Sequence, residues 1–149
     1  MRPNTLAEVA ARRTDGEAFS PLLREFLDQF YLALPDRAAA LIVEEPMSLP
    51  DGIEHAMLGA IGEHLALRWR LPVPSWTHHP TRFLKRPYFT TKLEGLKAIL
   101  LVESPTAFRR RMIFTEAEPL RRARMPTAAT TSDPYAAPAS SSAPAPPLA

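Results

Sequence analysis

Three consecutive arginines, Arg109, Arg110 and Arg111, stand between Phe108 and Met112 in VESPTAFRRRMIFTEAE, residues 102–118. Guanidinium groups hold phosphates and carboxylates through paired hydrogen bonds, so such a run is the first candidate for binding. On a helix the three side chains fan around the solvent side, with Phe108 and Met112 beneath them. Near a helix C-terminus they also gain from the dipole. A second set of cations lies upstream in SWTHHPTRFLKRPYF, residues 75–89, where Arg82, Lys85 and Arg86 alternate with Trp76, Phe83, Tyr88 and Phe89. Rings interleaved with cations can stack the bases of single-stranded nucleic acid. They can also pin a long segment onto a core while the charged heads reach water. The second arrangement is expected here, with Trp76 buried.

Other chemistries find less support. His78 and His79 are adjacent and point apart in any regular structure. His55 and His64 are nine residues apart, which places them on opposite sides of a helix. The HExxH spacing is absent, and no cysteine offers a thiolate for zinc or nucleophilic attack. Neither a GxSxG elbow nor a Gly-rich phosphate loop occurs, and no spacing favours a Ser–His–Asp set. The expectation is a protein without catalytic residues, metal or cofactor. A groove-reading helix would carry Arg with Asn, Gln or Ser at spacings of three and four. Ala107 and Phe108 intrude on that pattern.

The elements that position these residues read as helices. Thr5 and Glu8 form a capping box, and Gly16 stops the first helix. Ser20 and Pro21 open a second, with a wide apolar stripe through Leu22, Leu23, Phe26, Leu27, Phe30, Tyr31 and Leu34. A shorter one is expected after Pro35, ending at Pro46. From Pro50 a long helix buries Ile53, Met57, Ala60, Ile61, Leu65 and Trp69. Its Gly59 and Gly62 cost about 1 kcal/mol each against alanine, so they imply close approach of a neighbouring helix. Residues 71–89 are expected as loop with one short helical turn. Thr91 and Glu94 cap the next helix, Ser104 and Pro105 open the arginine helix, and Thr115 with Glu118 opens a last one reaching Arg124. No alternating strand pattern is evident. The expected fold is all-α, a compact bundle of six or seven helices over residues 4–124. The Pro/Ala/Ser-rich residues 125–149 cannot bury enough apolar surface to offset their ordering entropy and form a disordered tail.

Charge is uneven. Residues 1–50 hold five Arg against eight Asp and Glu, whereas residues 51–125 hold thirteen Lys and Arg against seven. A basic surface is therefore expected on the later part of the chain. No apolar run approaches the ~20 residues of a membrane span, and no signal peptide is recognisable, so a cytoplasmic protein is expected.

The segments EFLDQFY, AMLGAIGEHLALRWRLPVPSWT, TRFLKRPYF and LKAILLVESPTAFRRRMIF together resemble a family of uncharacterised helical, mainly actinobacterial proteins. The resemblance covers roughly residues 20–118. Trp76, Phe83, Leu84, Phe89, Glu103, Ser104, Pro105, Phe108, Arg109, Arg110 and Phe114 carry it. It implies association with a nucleotidyltransferase-like protein in modules of the toxin–antitoxin type. Some members carry a helix-turn-helix domain, which is missing ahead of residue 20 here; that argues against direct DNA binding. The expected function is thus a non-enzymatic interaction protein, an antitoxin-like or regulatory partner. Arg109, Arg110, Arg111, Arg82, Lys85 and Arg86 would form the partner-binding surface. The alternative is a nucleic-acid-binding transcriptional regulator that uses the same arginine run with Arg121, Arg122 and Arg124.

Overall fold

A computed structural model describes residues 1–126. The proposed tail from residue 127 onward lies outside the described residues. The fold is mostly helical, with five α-helices rather than six or seven: α1 Leu6–Thr14, α2 Phe19–Ala33, α3 Gly52–Arg68, α4 Glu94–Glu103 and α5 Thr106–Arg109. It also holds two short strands, β1 Tyr88–Phe89 and β2 Ile113–Phe114, paired in parallel. None of the described helices is long and apolar enough to cross a membrane.

The first capping prediction holds at Thr5, whose hydroxyl accepts from Glu8 N–H at 3.0 Å. Gly16 follows α1 at φ +103°, a conformation that favours glycine. In α2 the helix begins one residue before Ser20, after Ala18, and no side chain caps it. Its stripe still packs as expected, with Leu22, Phe26, Leu27, Phe30 and Tyr31 buried.

The central element is α3. Asp51 starts it by accepting from the N–H groups of Ile53 and Glu54. Ala60, Ile61 and Leu65 are buried as expected, but Ile53, Met57 and Trp69 are only half-buried. The opposite face is buried as well, including His55, Glu63, His64 and Arg68. A helix enclosed on all sides needs no one-sided apolar stripe, which is why the stripe misassigned its faces. The two glycines do mark a close approach, although the neighbour is not a helix. It is the segment of residues 71–89, which forms two 3₁₀ turns, Ser75–His78 and Pro80–Arg82. A Cβ on Gly62 would stand 2.8 Å from the Trp76 ring, and one on Gly59 would stand 2.9 Å from Arg82 Cβ.

Two expected helices are absent. Residues 36–45 supply only the 3₁₀ turn Ala38–Leu41. Residues 115–124 form turns and irregular backbone, with Thr115 N–H donating to Ser104 Oγ at 2.9 Å. That last segment is tied back to α2. Tyr31 Oη donates to Leu120 O at 2.7 Å, and Arg122 grips Asp28 through two hydrogen bonds of 2.9 and 2.8 Å.

Candidate functional site

The arginine helix is shorter than its sequence implies. α5 ends at Arg109, and Met112 takes a left-handed φ of 61° before the chain enters β2. The side chains of residues 109–111 therefore do not fan around one cylinder. Arg109 is exposed and donates through Nη2 to Val102 O at 2.6 Å and Ser104 O at 3.0 Å. It covers the carbonyl end of α4. Arg110 is 44% exposed at its side chain and reaches Glu63 Oε1 at 2.9 Å. Arg111 turns inward and is fully buried, contrary to the expected solvent-facing position.

Inside, Arg111 meets Glu63 of α3, which is itself 2% exposed. Nη1 lies 2.8 Å from Glu63 Oε2; the contact is ionic rather than a well-directed hydrogen bond. Nη1 also donates to Ala107 O at 2.8 Å, and Nη2 donates to Thr77 O at 2.6 Å. The guanidinium carbon sits 4.4 Å from the centre of the Phe83 ring. Ion pairing, carbonyl acceptors and the ring face together compensate the desolvation of a buried cation.

Arg82 is the second departure. It was expected at the surface and is 1% exposed. Nη2 donates to Pro46 O at 2.7 Å and Nη1 to His55 O at 3.2 Å, while the guanidinium stacks 4.8 Å from the Trp76 ring centre. Burial, chiefly, pulls its pKa below the ordinary arginine value, with nearby Arg111 acting in the same direction and Glu45 opposing. Trp76 is buried, as expected, and its indole N–H donates to Ile42 O at 3.0 Å. Trp76 is thus a structural anchor with no free ring face for a base.

A directed hydrogen-bond chain runs beside Arg82. His55 Nδ1 accepts from Leu49 N–H at 3.3 Å, so the proton of the neutral ring resides on Nε2 and points to Thr81 Oγ1 at 3.0 Å. The Thr81 hydroxyl can then donate to exposed His79 Nδ1 at 2.8 Å. Burial, followed by Arg82 and His79, holds the His55 pKa below the usual imidazole value.

Lys85 and Arg86 are exposed, and neither has a carboxylate partner among the described residues. They ride on a segment fixed alongside residues 111–112, since Leu84 N–H donates to Arg111 O and Tyr88 N–H to Met112 O. Of the six cations singled out in the sequence, then, Lys85, Arg86, Arg109 and Arg110 occupy the surface, and Arg82 and Arg111 hold the interior together. The sequence carries one signal for the inward turn: Met-Ile-Phe after the run favours extended backbone over helix. Among the described residues, no group of three or more His, Asp or Glu side chains is placed to hold a metal ion.

The largest unpredicted surface feature is α4. Leu100 is its one buried residue, whereas Leu93, Leu96, Ile99, Leu101 and Val102 are exposed by 64, 42, 48, 47 and 76%. Apolar side chains so grouped mark a contact surface more often than scattered ones do.

Comparison with known proteins brought no assignment. No family model matches the chain. No curated protein and no solved structure matches it either.

Proposed function

We propose that this chain is a non-enzymatic interaction protein, a regulatory partner of a nucleotidyltransferase-type protein. The observation that carries the reading is the set of exposed cations Lys85, Arg86 and Arg109, without carboxylate partners among the described residues. Behind them, Glu63, Arg111 and Arg82 hold the supporting loops rigidly. Nucleotidyltransferase sites carry metal-binding carboxylates, and cations on a fixed support complement such a surface at little cost in ordering. The nature of the partner rests on the family resemblance set out above. Burial of Arg111 removes the last member of the three-arginine run that a nucleic-acid regulator would use on phosphates.

The test is binding to a nucleotidyltransferase-type protein encoded by a neighbouring gene, followed at two salt concentrations. Replacing Lys85 and Arg86 together by Gln should lower the association rate, and more so at low salt. An unchanged rate removes these cations from the interface. Nucleic-acid binding by the parent chain tighter than ~10⁻⁶ M at physiological salt would exceed ordinary non-specific attraction and overturn the reading.

A further inference from the structure

The apolar surface of α4 is self-complementary. Leu96, Ile99 and Glu103 recur at spacings of three and four residues and so share one side of the helix. Lys92 lies just ahead of the helix, at the opposite end from Glu103. Both charges are exposed and neither has a partner among the described residues. Place a second copy antiparallel, about a two-fold axis that passes between Lys97 and Ala98. Leu96 then meets Ile99 of the other copy, and Lys92 meets Glu103. Each match occurs twice by symmetry. Leu96, Ile99 and the two unpaired charges are matched by one operation, whereas a parallel arrangement would set Lys92 beside Lys92 and Glu103 beside Glu103.

We propose that α4 is the contact helix of a homodimer, paired antiparallel with α4 of a second copy. Two-fold pairing of one patch with itself is the commonest mode of soluble association. A ten-residue helix covers less than the roughly 800 Å² per partner of a standard interface, so the dimer belongs to the reversible, concentration-dependent class. The pairing uses none of Lys85, Arg86 or Arg110, and it stands independently of the partner reading above.

Sedimentation velocity of the full chain over a concentration series tests it. The expected result is a monomer–dimer equilibrium, with Ile99→Glu weakening dimerisation by at least about tenfold because a carboxylate must then be buried against an apolar contact. Lys92→Glu and Glu103→Lys should each weaken it several-fold, and the double variant should recover most of the loss. That recovery separates the antiparallel register from indiscriminate apolar adhesion. All three sites are exposed, and circular dichroism should show unchanged folding. A parent that stays monomeric up to about 1 mM, corresponding to negligible affinity, overturns the proposal. So does a dimer indifferent to Ile99→Glu, or a double charge reversal without recovery.

Discussion

Glu63 shows how one carboxylate can decide the fate of a basic sequence. It meets Arg111 in the interior and Arg110 at the surface, with His78 3.7 Å away. Glu63→Gln would take away the carboxylate that pairs with buried Arg111, and removing one partner of a buried pair costs about 3–5 kcal/mol. Arg109→Gln, one turn away but exposed, should cost less than about 1 kcal/mol. Urea unfolding of the two variants measures the contrast; equal losses would mean that the three arginines are equivalent after all. His55 adds a pH dependence. Its folded pKa lies below the unfolded value of about 6.5, so its neutral form stabilises the fold fully above that pH. The contribution is lost as pH falls from there through the lower folded value, because protonation puts a donor on Nδ1 opposite Leu49 N–H and Arg82. Melting temperature should therefore fall between pH 7.5 and pH 5, and His55→Asn should flatten that fall. A parallel slope in the variant would place the titration elsewhere.

Among the elements, α3 and the loop that covers it form the unit most open to disruption. Gly62→Ala would drive a methyl to 2.8 Å from the Trp76 ring, an overpacking expected to cost about 1–3 kcal/mol. Gly95→Ala in α4 meets open space and should instead stabilise by roughly 0.5–1 kcal/mol through helix propensity. Thermal melts that showed both changes with the same sign would contradict the packing. Much of this architecture was legible from residues alone. The stripe of α2, the boundaries of α3, the buried Trp76 and the close approach at Gly59 and Gly62 all follow from spacing and size. What failed was local pattern overruled by distant partners. Thr115 and Glu118 have the spacing of a capping box, yet the Thr115 N–H is taken by Ser104. The arginine run looked like a solvated helix end, yet the chain leaves the helix at Arg109 and Glu63, 48 positions before Arg111, draws it inward. Neither competitor is visible within a window of a few residues. The two strands escaped because two residues cannot display an alternation.

At the scale of the molecule, α3 lies mid-chain while much of what encloses it comes later: residues 74–82, α5 and Arg111. On the ribosome, Glu63 is therefore made before any of the guanidinium groups that will neutralise it inside. The first half of the chain must wait, with α3 uncovered, until residue 111 has cleared the exit tunnel. At roughly 5–20 residues per second that is an interval of several seconds. A chain ending at Glu103 reproduces the waiting state. It should show helical signal without a cooperative melt, whereas a sharp transition would mean that the amino-terminal half closes without its later neighbours. Folding of this protein is thus timed by the arrival of its arginines, and a ribosome that stalls between residues 63 and 111 would present an apolar helix with a lone carboxylate to whatever chaperone is near.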